Sequence, residues 1–107
     1  MHKQTKEENK LNFGQALEEL KVNRKVARNG WNGKGMFIYL VEGRNVNIES
    51  LKNEAAKHLN ANSDINRGKR IKISSHIDMK AADDSIVVGW LASQTDMIAD
   101  DWYVVYP

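Results

Sequence analysis

The sequence contains no cysteine at all. That absence excludes disulfides and thiolate metal sites and fits, without proving, a reducing cytosol. No apolar run approaches the ~18 residues a membrane-spanning helix requires. Residues 1–10 are polar and lack the apolar centre of a secretory signal, so the expectation is a cytosolic protein. Charge of one sign is also scarce: the formal net charge is +2, too little for a protein that coats a nucleic-acid duplex, and no nucleic-acid polymer is expected as partner. Catalytic signatures are missing too. The three histidines, His2, His58 and His76, show no metal-ligand spacing, and no phosphate-binding loop, nucleophile elbow or calcium loop is present. His76 and Asp78 stand two apart and share a strand face, but no nucleophile accompanies them. Ser93 is better explained as a helix cap. The expectation is a protein that is not an enzyme and carries neither metal nor cofactor.

What remains is one domain's worth of chain, 107 residues, with a modest core that a partner subunit would help to complete. Residues 1–10 show no apolar periodicity and are expected to form a disordered arm ahead of a single ligand-binding domain over 11–107. Asn12 followed by Gln15 forms a capping box, and Phe13, Ala16, Leu17 and Leu20 recur at helical spacing, so a helix follows, with Asn23 as its stop. Residues 25–28 and 36–41 are strand candidates, the latter (MFIYLV) buried on both faces. Residues 44–74 read as an insertion. There Asn47 is expected to cap a helix carrying Ile48, Leu51, Ala55 and Leu59, and a basic polar return leads to a strand candidate at Ile71 and Ile73. Residues 76–82 and 85–90 are expected to pair as strands across an Asp83-Asp84 turn. Ser93 and Asp96 form a second capping box and open a short helix, and residues 102–106 close the chain as a strand. The fold class expected is α+β: a small antiparallel sheet of four to five strands, an N-terminal helix, a short C-terminal helix and an inserted helix.

Candidate binding chemistry gathers in two places. Gly30-Trp31-Asn32-Gly33-Lys34-Gly35 concentrates glycines whose backbone can approach a ligand closely, and Trp31 suits either a core plug or a ring that stacks on a base. Trp90 and Trp102 each suit the core, the commoner role of a lone tryptophan in a small domain; between them the polar run Ser93, Gln94, Thr95 and Asp96 lies at a helix N-terminus, where free N–H groups favour anions. Arg67, Lys69, Arg70 and Lys72 make a basic cluster that could meet a few phosphates or simply be a solvated loop.

The strings NFGQAL at 12–17, VARNGWNGKGM at 26–36 and WLASQTDM at 90–97, with Asp101-Trp102 after them, together resemble the second Thoeris anti-defence (Tad) family of bacteriophages and prophages. The span 44–74 is longer than in its compact members. The resemblance implies a sponge. Such proteins bind the cyclic ADP-ribose isomer made by bacterial TIR-domain immune enzymes and hold it uncleaved, so that the Thoeris effector stays inactive. The family assembles as homotetramers with signal pockets between protomers, some members also take up cyclic di- or trinucleotides, and the setting is the cytoplasm of an infected or lysogenic bacterium. On this resemblance the ligand-binding set falls on Phe13, Arg28, Trp31, Asn32, Lys34, Met36, Trp90, Ser93, Gln94, Thr95, Asp96 and Trp102. By residue type, Trp31 and Trp90 would stack, Asn32 and Asp96 would hydrogen-bond hydroxyls or the adenine edge, Arg28 or Lys34 would meet the pyrophosphate, and Phe13 would complete an apolar wall. Three rival functions stay open: a hydrolase that destroys the same signal, a module that blocks an immune protein directly through 44–74, and a binder of single-stranded nucleic acid.

Overall fold

The computed structural model describes residues 10–106; the expected arm over 1–10 therefore lies, but for its last residue, outside the described residues. The described residues form two compact units, one made of those up to Val41 together with those from His76 onward, the other of Glu42–Ser75. No described helix is long and apolar enough to cross a membrane.

The first unit begins with helix α1 (Phe13–Lys21). Both halves of its capping box form: Gln15 N–H donates to Asn12 Oδ1 at 2.8 Å and Asn12 N–H to Gln15 Oε1 at 2.9 Å. These bonds satisfy two backbone donors that the helix start leaves unpaired. Asn23 ends the turn in the left-handed region, φ 69°. Five strands follow in this unit, β1 (Lys25–Arg28), β2 (Phe37–Val41), β5 (His76–Lys80), β6 (Ile86–Val87) and β7 (Trp102–Val105). They form one antiparallel sheet in the order β6-β5-β2-β1-β7. Helix α3 (Gln94–Ile98) precedes β7.

Strand alternation sorts the side chains into two faces. Val26 lies opposite both Ile38 and Val104, and Ile38 opposite Met79. These four join Ala16 and Leu20 of α1 and the fully buried Trp102 in one core. The other face carries Phe37, Tyr39, Tyr103 and Val105, none of which belongs to that core and all of which are half-buried. Lys25 Nζ sits 4.5 Å from the centre of the Phe37 ring, a cation–π contact. The MFIYLV run is thus enclosed at Ile38 and only half-buried at its other strand positions.

The pairing expected over 85–90 is shorter than its sequence suggests. Only Ile86 and Val87 pair with β5. Gly89, at φ 77°, breaks the ladder and donates its N–H to Asp78 Oδ1 at 3.0 Å, while Trp90 N–H still donates to Ile77 O at 2.7 Å.

The second unit departs most from expectation. Arg44–Asn47 is a strand, β3, paired antiparallel with β4 (Arg70–Ile73) in a two-stranded ribbon. Asn47 precedes a 3-10 turn (Ile48–Ser50) and makes no side-chain cap bond to it. The helix α2 that follows covers only Asn53–His58. Asn53 at φ 56° interrupts the expected Ile48–Leu59 helix between Leu51 and Ala55: left-handed backbone cannot continue a right-handed helix. A second 3-10 turn, Asp64–Asn66, leads into β4.

Candidate functional site

Arg28 ends β1, and its register partner is Trp102, the first residue of β7. Two acidic groups therefore come within its reach, Asp101 just before that strand and Asp96 in α3. Arg28 Nε donates to Asp101 Oδ1 at 2.8 Å, and Nη1 donates to Asp96 Oδ1 at 2.8 Å. Only 12% of the Arg28 side chain is exposed. Hydrogen bonding to Asp101 is the main reason that its guanidinium titrates above the ordinary value, against the opposing effect of burial. The Arg28 bond holds the Asp101 carboxyl below the usual range. Burial by itself would raise Asp96, but bonds from Arg28, Trp31 and Ser93 outweigh it and hold this carboxyl low as well.

The glycine-rich loop is pinned to this cluster. Gly30 N–H donates to Asp101 Oδ2 at 2.8 Å, and Trp31 Nε1 donates to Asp96 Oδ1 at 3.1 Å. A Cβ on Gly30 would stand 2.9 Å from both Arg28 Nη2 and Asp101 Oδ2, so only glycine passes here without displacing the ion pair. Trp31 meets Trp102 edge-on at 5.3 Å and Trp90 at 6.1 Å, and Trp90 lies 6.3 Å from Trp102. Edge-to-face packing at such separations is favourable for indoles. Three tryptophans spread over 72 positions of sequence thus form one cluster.

An open groove of about 460 Å³ runs beside this loop. Trp31, Lys34 and Met36 line it from the loop, Arg28 and Tyr103 from β1 and β7, and Lys80 from the end of β5. Lys80 Nζ donates to Gly35 O at 3.1 Å and pairs with Asp84 at 2.7 Å, which places a cation at the groove wall. Gly35 itself needs its φ of 73° to make that turn.

The structure brings four expected site residues, Arg28, Trp31, Lys34 and Met36, to this one groove. Others stand elsewhere. Trp102 is a correction: with 0% of its surface exposed and Nε1 bonded to Asp96 O at 3.0 Å, it is the centre of the core and has no face for a ligand. Asp96 is corrected in role, since the residue is buried and its carboxylate is occupied by Arg28, Trp31 and the Ser93 N–H. Arg28 is likewise committed to two carboxylates and acts as a brace for the loop. Ser93 Oγ accepts from Asp96 N–H at 3.0 Å, so the α3 start spends that donor on its own cap. Gln94 and Thr95 are exposed on the first turn of α3. Phe13 packs against Trp102 at 5.4 Å, Trp90 is half-buried, and Asn32 is exposed on the loop.

Lys80 and Tyr103 of the groove were missed by sequence reasoning. Strand alternation gives the available signal, since Phe37 and Lys80 are register partners and Tyr103 alternates with buried Trp102 and Val104. His76 Nε2 lies 3.5 Å from Asp78 Oδ1. Among the described residues, no three His, Cys, Asp or Glu side chains are grouped as a metal site.

Comparison with known proteins agrees with the strings that line these elements. Residues 11–105 match the family model described as Tad2-like, the Thoeris anti-defense 2-like domain. A curated protein of Bacillus phage SP01, named Thoeris anti-defense 2, is 35% identical over 99 residues, which span 90% of this chain and 96% of that protein.

Proposed function

Since the chain belongs to the Thoeris anti-defense 2-like family, we propose that it is a viral anti-defence sponge, one that captures a cyclic ADP-ribose-type signal and holds it uncleaved. The observation that carries this reading is the groove beside the glycine-rich loop. Its volume of about 460 Å³ falls within the roughly 300–1,000 Å³ typical of small-molecule sites. The edge of Trp31 and the Tyr103 ring offer surfaces for a base, and Lys34 and Lys80 offer charge for a pyrophosphate. Capture without cleavage needs affinity rather than transition-state chemistry. To outcompete an effector it calls for submicromolar binding, roughly −8 kcal/mol or better.

The reading includes assembly as a homotetramer, with the pocket shared between protomers. It is supported by the sheet face that carries Phe37, Tyr39, Tyr103 and Val105. A second, mainly apolar groove of about 460 Å³ beside Phe37, Tyr39 and Tyr106 continues that face. Apolar surface of this kind is what a further copy would bury. In this arrangement a ligand in the Lys34–Lys80 groove is enclosed from above by the neighbouring protomer. The test is incubation with a cyclic ADP-ribose isomer, removal of unbound ligand, and heating to release what was held. Intact ligand recovered in proportion to protein supports the sponge. Opened product with turnover supports a hydrolase and overturns it.

A further inference from the structure

The ribbon of the second unit separates its side chains by chemistry. Asn45 lies opposite Lys72 and Asn47 opposite Arg70, so these four share one face. Val46, Ile71 and Ile73 take the other, together with Arg44 at its end. All four residues of the polar face are exposed, whereas Val46, Ile71 and Ile73 are half-buried. Arg70 is held in place by its neighbours across the ribbon: Nη1 donates to Asn47 Oδ1 at 2.9 Å and Nη2 to Asn45 O at 3.3 Å. A guanidinium has five N–H donors, and these two bonds use only two of them. The face continues into an open polar trough of about 380 Å³ that Arg44, Asn45 and Lys72 help to line.

Charge is concentrated here. Residues 42–75 hold seven Lys and Arg against four Asp and Glu, a surplus of three in a chain whose whole net charge is +2. None of the four acids occupies the polar ribbon face. Asp64 pairs with Arg67 at 2.5 Å, and Glu49 accepts from Gly68 N–H at 2.7 Å. The unit contains no Phe, Tyr or Trp. A single nucleotide or an unpaired strand draws much of its binding from aromatic stacking, which this surface cannot supply. A duplex asks for cations, amides and hydroxyls on its phosphates and base edges, and its major groove has room for a two-stranded β-ribbon.

We propose that the Asn45–Asn47–Arg70–Lys72 face of this ribbon is a docking surface for double-stranded nucleic acid, with Arg70 and Lys72 on the backbone phosphates. The surface lies in the second unit, is independent of the signal-capture reading, and goes against the expectation of no nucleic-acid polymer, which rested on the net charge of the whole chain and not on its concentration in residues 42–75.

The test is fluorescence anisotropy of the full chain with a labelled DNA duplex of about 20 base pairs, over about 50 to 200 mM salt. The same titration is run with a single strand of equal length, and inorganic pyrophosphate is added as a competitor. Expected is micromolar duplex binding at the lowest salt, tighter than the single strand. The double substitution Arg70→Ala/Lys72→Ala should weaken it at least about tenfold and lower the salt slope by about 2, the loss of two phosphate contacts. Lys21→Ala, an exposed cation on α1, should leave binding unchanged, and circular dichroism should show both variants folded. Absent duplex binding, indifference to the double substitution, equal affinity for the single strand, or displacement by millimolar pyrophosphate would each overturn the proposal.

Discussion

Arg28 and Asp96 stand 68 positions apart in sequence, yet Nη1 of one lies 2.8 Å from Oδ1 of the other. The same carboxylate oxygen accepts from Trp31 Nε1, so a single ion pair fixes both the end of β1 and the indole of the glycine-rich loop. Bracing of this kind positions a ring before a ligand arrives, which reduces the ordering cost of binding. The proposed capture site therefore depends on residues that need not touch the ligand.

Removal of the brace should cost stability as well as capture. Arg28→Ala leaves two partly buried carboxylates without their cation, and a loss of about 2–4 kcal/mol is expected. Urea unfolding reports it as a lower midpoint at unchanged slope.

Acid should act through the same carboxyls. Asp96 and Asp101 titrate below their ordinary value in the folded chain, so their contribution is complete above the unfolded aspartate pKa of about 3.9. It is lost as pH falls below that value and through the depressed folded pKa values. Thermal midpoints should accordingly stay level with respect to these groups from neutral pH to about pH 5, then drop. Asp101→Asn should be less stable at neutral pH and show a shallower acid drop.

The tryptophans should separate by burial. Trp102→Ala empties the middle of the core and should cost about 3–5 kcal/mol. Trp31 is half-buried, so Trp31→Ala should cost less while abolishing capture. Trp31→Phe keeps a ring but loses the Nε1 bond to Asp96, and about 1–2 kcal/mol is expected. Denaturant midpoints compared with calorimetric ligand titration resolve the two effects.

Lysines at the groove should matter for binding alone. Lys34→Ala and Lys80→Ala should each weaken capture by about tenfold, the equivalent of ~1.4 kcal/mol. Unfolding midpoints should remain close to the parent's, because Lys34 is exposed and Lys80 bonds exposed Asp84 and a loop carbonyl. Titration calorimetry at two salt concentrations checks the charge dependence.

The legible parts of this fold were those determined by neighbours in sequence. Asn12 with Gln15 and Ser93 with Asp96 satisfy backbone donors three residues away, so both helix starts could be read directly. Lys25–Arg28, the core of the MFIYLV run and the closing strand followed from composition and alternation. The insertion did not, because the partner that makes Arg44–Asn47 a strand is Arg70–Ile73, and periodicity within residues 47–59 favours a helix that left-handed Asn53 interrupts. Trp31, Lys34 and Met36 of the groove came from one loop string. Tyr103 and Lys80 arrive from other strands through sheet order, and the pairing of Arg28 with Asp101 spans 73 positions. Trp102 entered the ligand-binding set through the family strings, although a lone tryptophan in a small domain more often belongs to the core; the packing puts it at the core's centre.

Native mass spectrometry with and without a cyclic ADP-ribose isomer tests the central claim most directly. The account predicts a four-subunit assembly that gains the intact mass of the ligand in whole-number steps, and a Lys34→Ala/Lys80→Ala assembly that does not at the same concentration. A protein whose mass stays unchanged at micromolar ligand, or that returns the ligand hydrolysed, would contradict it.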